Sequence, residues 1–232
     1  MESAGGYYHS RMSQDLWTRV DDYINSVTIS PDAALEAAAA AAAAAQLPPI
    51  SVTPAQGKLL HLMARAHGAT RILEVGTLAG YSTIWLARAV PPDGRVITLE
   101  FDSRHADIAR TNIERAGLTG RVDVRLGNAL ETLPQLAAEQ QPPFDFTFVD
   151  ADRTNLAEYF DWAVRLSRPG SLIIVDNVVR KGGVVDASSD DPNVKGVRRF
   201  NDRLKADTRV TATMVQTVSA KGYDGFAMAL VL

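Results

Sequence analysis

Arg71-Ile-Leu-Glu-Val75 runs without a break into Gly76-Thr-Leu-Ala-Gly80-Tyr-Ser82. A short apolar run bounded by a glycine turn reads as a strand, and the amphipathic stretch 81–90 behind it reads as a helix. The same pair then repeats along the chain. Strand-like runs at 95–99, 122–126, 144–149 and 171–175 alternate with helix-like stretches at 105–116, 129–139 and 156–166. That alternation predicts an α/β chain with a Rossmann-like, doubly wound parallel sheet.

Outward from this core the pattern changes. On the N-terminal side, Leu16, Val20, Ile24 and Val27 give 14–27 a helical spacing. Pro31 and Asp32 open a second helix through the alanines 37–45, which Pro48 and Pro49 stop. A third helix follows Thr53-Pro54, with Thr53 as N-cap and Pro54 at the first helical position. On the C-terminal side a long loop at 178–193 precedes a helix at 194–206. Two strands at 209–215 and 225–231 follow, joined through 219–224. The expected organisation is one domain over 1–232, a helical cap at 1–50 on a core at 51–232.

Composition limits the function classes. The 232 residues are 46% hydrophobic and 22% charged, with no cysteine and a net charge of −3. Disulfides, zinc-thiolate centres and thiol nucleophiles are excluded. No Lys/Arg run follows a phosphate backbone, so a nucleic-acid partner is not expected. The alanine stretch is too short to span a bilayer, and the start, Met1-Glu-Ser-Ala-Gly-Gly-Tyr-Tyr, lacks the layout of a signal peptide. A cytoplasmic home is the simplest expectation.

Ligands of such sheets bind beyond the carboxyl ends of the strands. The first turn is Gly76-x-x-x-Gly80, so the dinucleotide fingerprint Gly-x-Gly-x-x-Gly is not met. Glu74 lies just before it. A carboxylate there opposes a pyrophosphate but suits an ammonium and a sulfonium, which favours S-adenosylmethionine over a nicotinamide cofactor. Glu100 ends the second strand, where a carboxylate accepts hydrogen bonds from ribose hydroxyls. Gly127-Asn128-Ala129, after the third strand, forms a small-residue turn for adenine. Each of these alone reads equally well as a cap or an ordinary turn; their order along the sheet carries the assignment.

The fourth strand delivers Asp150-Ala-Asp152-Arg153 and the fifth Asp176-Asn177. If the two are neighbours, their ends lie about 5 Å apart. Asp150, Asp176 and Asn177 would then offer oxygen-only ligands to a hard cation such as magnesium. The plainer alternative makes Asp152 and Asp176 helix N-caps.

From about residue 52 onward the chain resembles the cation-dependent O-methyltransferases, the family of caffeoyl-CoA and catechol O-methyltransferases. The resemblance rests on Ser51-Val-Thr-Pro-Ala-Gln-Gly57, Leu73-Glu-Val-Gly-Thr77 with Gly80-Tyr-Ser82, Phe148-Val-Asp-Ala-Asp152, and Asp176-Asn177. It implies a seven-stranded sheet with the last strand antiparallel, often in homodimers. It also implies S-adenosylmethionine bound among Val52, Glu74, Gly76, Thr77, Ser82, Glu100, Asn128, Ala129 and Asp150, and a metal on Asp150, Asp176 and Asn177. The catalytic candidates are then Asp150, Arg153 and Lys181.

Arg153 stands where the family usually has the lysine that serves catechol enzymes as general base. An arginine cannot be deprotonated in a protein, so it can only orient or stabilise a phenolate. Lys181 is a substitute base, with a solvated loop lysine as the plainer reading. Family members often carry a tryptophan in the loop after the metal pair; Val178-Val179-Arg180 occupies the place here. The expected acceptor is a small catechol-like phenol. The rivals are a hydroxylated tRNA base, methylated by some bacterial relatives, and a nucleoside-binding protein without catalysis.

Overall fold

In the computed structural model, which describes residues 4–232 with side chains from residue 13 on, seven strands form one sheet. They are β1 (Arg71–Val75), β2 (Arg95–Glu100), β3 (Val122–Leu126), β4 (Phe144–Val149), β5 (Ser167–Asp176), β6 (Val210–Ser219) and β7 (Gly222–Val231). Of the stretch read for a leader, Met1–Ser3 lie outside the described residues. The spatial order is β3-β2-β1-β4-β5-β7-β6. Strands β1 to β5 pair in parallel, while β7 runs antiparallel to both β5 and β6. Strand order reverses between β1 and β4, and the crevice at their carboxyl ends is where open α/β sheets bind ligands.

Side-chain alternation along the strands builds a core on each face. Leu73, Ile97, Leu99, Val149 and Ile173 pack on one side with α6 (Ala129–Ala138), α7 (Leu156–Arg165) and α8 (Pro192–Ala206). Ile72, Val96, Phe146, Phe148 and Ile174 pack on the other with α3 (Pro54–His67), α4 (Tyr81–Ala87) and α5 (Ser103–Arg115). Fully burying a Phe, Leu or Ile contributes about 1.5–3 kcal/mol each, which holds the strand ends, and therefore the site, in register.

The N-terminal helices are α1 (Ala4–Thr28) and α2 (Ala33–Ala44). Asp32 caps α2, accepting from Ala34 N (3.1 Å) and Leu35 N (3.0 Å), and pairs with Arg88 at 2.6 Å. Thr53 caps α3 as expected, its Oγ1 accepting from Gln56 N, and Gly68 ends that helix at φ 70°. Helix α1 is tied to the other end of the chain. Gln14 Nε2 donates to Ala220 O (2.9 Å), and Ala220 N donates to Asp21 (2.7 Å).

The structure corrects several boundaries. Helix α1 starts well before residue 14, since Gly5 and Gly6 are poor helix formers and mask its first turns. Strand β5 starts at Ser167, because an irregularity in its pairing with β4 precedes the apolar run that marks it in sequence. Strands β6 and β7 are each ten residues long and meet in a tight turn at Ala220-Lys221, not through 219–224. Pairing with β7 carries β6 on to Ser219 although it is exposed along most of its length, so the sequence showed only the part read at 209–215. The loop after β5 contains a 3-10 turn, Arg180–Val185. Among the described residues no helix is long and apolar enough to cross a membrane.

Candidate active site

Beyond the carboxyl ends of β1, β2 and β4 lies a cavity of about 530 Å³. Val52, Gly76, Thr77, Ser82 and Glu100 line one part of it, and Asn128, Ala129, Asp150 and Arg153 another. Glu74, Asp176 and Asn177 stand behind or beside this wall. Lys181 is exposed and does not line the cavity, so the structure does not bring the expected substitute base to the site.

The glycine turn is a matter of backbone geometry. Gly76 has φ +101°, and a Cβ there would lie 2.1 Å from the carbonyl oxygen of Asp150. Only glycine lets the ends of β1 and β4 approach so closely. Glu100 then fixes the turn. Its Oε2 accepts from Thr77 N (3.1 Å) and Leu78 N (2.8 Å), and its Oε1 from Asp102 N (3.0 Å). A carboxylate has about four acceptor positions, so it retains capacity for a ligand hydroxyl. Asn128 caps α6, its side chain accepting from Leu130 N at 3.0 Å, and it lines the cavity at the same time.

Glu74 is fully buried. Its Oε2 accepts from Thr83 Oγ1 (2.5 Å) and Thr98 Oγ1 (2.7 Å); the Ser82 hydroxyl also lies against the carboxylate, but Oε1 is left without a well-formed hydrogen bond. Burial pushes its carboxyl up to about 7 against the pull of the surrounding hydroxyls, and the charge of Asp150 adds to the rise. An unpartnered buried carboxylate oxygen is costly unless a donor meets it. A ligand ammonium group fits that requirement.

The end of β4 and the end of β5 are neighbours, through Val149 paired with Val175. Asp150 and Asp176 are therefore brought together, with Asn177 beside them in the left-handed region at φ 61°. Burial raises the Asp150 carboxyl, and the positive charge of Arg153 opposes the rise. Burial and then the charge of Asp150 push Asp176 up to about 7. Asp176 Oδ1 accepts from Asn177 N (2.8 Å), and Oδ2 accepts from Gln56 Nε2 (2.6 Å). Asp176 is thus not a helix cap, whereas Asp152 is one: its Oδ1 accepts from Asn155 N at 3.1 Å, and its Oδ2 accepts from Tyr159 at 2.5 Å. Among the described residues no group of three His, Cys, Asp or Glu gathers. A cation at this rim would be held by two carboxylates and an amide. The donor chemistry fits one, since the buried Asp176 and the partly exposed Asp150 carboxylates crowd each other and all three groups offer hard oxygens.

Arg153 lies between these groups. Its guanidinium donates to Asp150 Oδ1 (3.3 Å) and, at closer range, to Asn177 Oδ1 and Ala151 O. Lys221, in the β6–β7 turn, is a second cation near the pair. Burial lowers its pKa while Asp150 and Asp176 raise it, and its Nζ donates to Ile50 O (2.8 Å) and Ser51 O (2.6 Å). It thereby clasps the segment before α3 over the cavity. Val178 and Val179 are buried and cannot face an acceptor. Sequence reasoning missed Gln56, Lys221, His105 and Tyr159. Only Gln56 lies inside a quoted motif; the others reach the site from 3.4 Å of Glu100 (His105), the wall made by α7 (Tyr159) and a distant hairpin turn.

Residues 26–229 match the O-methyltransferase family. A catechol O-methyltransferase of Niastella koreensis is 53% identical over 220 residues, covering 95% of this chain and all of its own length. The O-methyltransferase from Bacillus cereus, solved in complex with SAH, superposes with a TM-score of 0.93 at 55% identity, covering 94% of this chain and 100% of that one. The O-methyltransferase TomG from Streptomyces achromogenes, solved with SAM, gives 0.91 at 49% identity over 94% of this chain and 98% of its own. The seven-stranded order with its antiparallel last pairings agrees with these matches, and the chain belongs to the O-methyltransferase family of S-adenosylmethionine-dependent enzymes.

Proposed function

We propose that this chain transfers a methyl group from S-adenosylmethionine to a hydroxyl oxygen of a small catechol-like phenol, assisted by a divalent cation such as magnesium. The observation that carries this reading is the meeting of Asp150, Asp176 and Asn177 beside the cavity, with the buried Asp176 carboxylate facing the partly exposed Asp150 one across neighbouring strand ends. Catechol specificity draws support from the name of the Niastella koreensis relative.

In this reading Glu74 Oε1 takes the ammonium of the methyl donor, Gly76 and Thr77 form the turn under it, and Ser82 stands beside Glu74. Glu100 takes the ribose hydroxyls, Asn128 and Ala129 flank the adenine, and Val52 closes the cavity from above. Asp150, Asp176 and Asn177 hold the cation, which when bound supplies Lewis acidity that lowers the pKa of an acceptor hydroxyl. The acceptor hydroxyl gives up its proton to solvent water, and the methyl carbon then leaves the sulfonium sulfur, which keeps the electron pair of the broken bond, and bonds to the phenolate oxygen. Charge is neutralised as this proceeds, so the protein contributes chiefly by positioning. Arg153 serves as fixed positive charge and not as a base.

The chain works as one unit of cap (1–50) and core (51–232). A second copy covers the apolar stripe of α1, where Leu16, Val20, Tyr23 and Val27 are exposed, giving a homodimer. A cytoplasmic location and a small acceptor rather than a nucleic acid complete the reading. The test is transfer of labelled methyl from S-adenosylmethionine to a panel of catechols, with magnesium and then with excess EDTA. Transfer that EDTA abolishes is the expected result. Transfer that survives EDTA overturns the metal, and no transfer to any catechol with S-adenosylmethionine still bound overturns the acceptor.

A further inference from the structure

Two of the three proposed cation ligands already hold a cation of the chain's own. Arg153 donates to both Asp150 Oδ1 and Asn177 Oδ1, and to Ala151 O between them. Magnesium coordinates oxygen at about 2.0–2.1 Å in near-octahedral geometry. A guanidinium in hydrogen-bond contact with the same two oxygens leaves no room for that. We propose that Arg153 is the resident counter-cation of this rim, and that a divalent cation binds by displacing its guanidinium into the cavity. The inference rests on the reading that Asp150, Asp176 and Asn177 form the cation site.

The arrangement is suited to such an exchange. The backbone of Arg153 is fixed: Asp152 caps its 3-10 turn, and α8 packs so closely that a Cβ on Gly196 would lie 2.1 Å from the carbonyl oxygen of Arg153. Only the side chain has to move. It lines the cavity and is one-fifth exposed, so its guanidinium has open space beside the rim to move into. The other nearby cation, Lys221, makes no hydrogen bond to these oxygens and donates instead to Ile50 O and Ser51 O. Divalent-cation binding in this chain is therefore an exchange of one positive group for another, and it is weaker than the same ligands would give without the arginine.

The test is calorimetric titration of Mn²⁺ into the metal-stripped full-length protein saturated with SAH, for wild type, Arg153→Gln, Arg153→Lys and Asp176→Asn. Arg153→Gln should bind Mn²⁺ about tenfold more tightly, equivalent to ~1.4 kcal/mol. Arg153→Lys keeps the charge but loses the fork that bridges two acceptors, and its Kd should lie between those two. Asp176→Asn should lose binding. A larger Mn²⁺-induced rise in Tm for both Arg153 variants than for wild type gives a readout independent of heat. If the Arg153 variants bind no more tightly than wild type while Asp176→Asn loses binding, the displacement is wrong and the cation site stands. If Asp176→Asn binds as wild type does, or wild type binds nothing, the cation site is wrong and the displacement falls with it.

Discussion

Strand β4 carries one aspartate near its start and another just past its end, and the two live in opposite conditions. Asp145 is buried, and burial pushes its carboxyl up, yet it is held at about 2 by donors. Its Oδ2 accepts from Thr70 N (2.8 Å), Thr70 Oγ1 (2.7 Å) and Arg71 N (3.0 Å), and its Oδ1 from both Nη2 (2.7 Å) and Nε (3.1 Å) of Arg168. Asp150 has one long contact to Arg153 and an acidic neighbour in Asp176, and burial raises it. At the amino end of the sheet the carboxylate is satisfied and secures the fold. At the carboxyl end it lacks donors, which is the state of a group awaiting a ligand.

The sharpest way to break this contrast is the same substitution at both ends. On the proposed cation site, Asp150→Asn should lower kcat/KM for methyl transfer by on the order of 10³, since metal assistance is worth several kcal/mol and each 1.36 kcal/mol is tenfold. Its Tm at pH 8 should hold or rise, because one of two crowded charges has gone. A variant that loses stability in proportion to activity would make Asp150 structural, like its counterpart.

Asp145→Asn should do the reverse, and its effect is smaller. It turns an amide toward donors that need an acceptor, at a cost of about 2–3 kcal/mol in urea unfolding, with turnover per folded molecule unchanged. The pH dependence carries the same sign contrast. Asp145 has a depressed pKa, so its contribution is present above pH 4 and lost as pH falls toward 2. Asp176 has a raised one, so its contribution is present below its ordinary value near 4 and lost as pH rises through about 7. Asp145→Asn should flatten only the acid limb of the stability curve, and saturating Mn²⁺ only the alkaline limb.

What the sequence allowed to be read divides along similar lines. The glycine turn, Glu100 and the Asp150 and Asp176-Asn177 pairs were legible because local backbone chemistry dictates them: a glycine where a Cβ would strike Asp150 O, an acid ending a strand. Strand β6 was legible only in part because it owes its form to β7 and presents little apolar pattern of its own. Gln56 on Asp176 and Lys221 on Ile50 and Ser51 are contacts across 120 and about 170 residues of chain. No spacing rule reaches that far. The type of residue at 153 was readable, but its position between the Asp150 and Asn177 side-chain oxygens depends on side-chain packing and was not.

The smallest expected effect concerns Glu74, which shares the raised pKa of the rim and is proposed above to meet the cofactor. Its carboxyl is pushed up to about 7 by burial from an ordinary value of 4.5. Its contribution to stability is therefore full below about 4.5 and lost as pH rises through 7. A ligand ammonium meeting Oε1 needs the ionised form, so SAH affinity should climb between pH 6 and 8. Glu74→Gln keeps the shape and removes the titration. By calorimetry it should bind SAH about as well as wild type at pH 6 and about tenfold more weakly at pH 8, the value of one charge-assisted hydrogen bond. A variant that keeps the wild-type slope would move the titration to another group and leave Glu74 as a structural acid held by Thr83 and Thr98. The orphaned Oε1 argues the other way: a purely structural carboxylate would have both oxygens engaged, as Asp145 does.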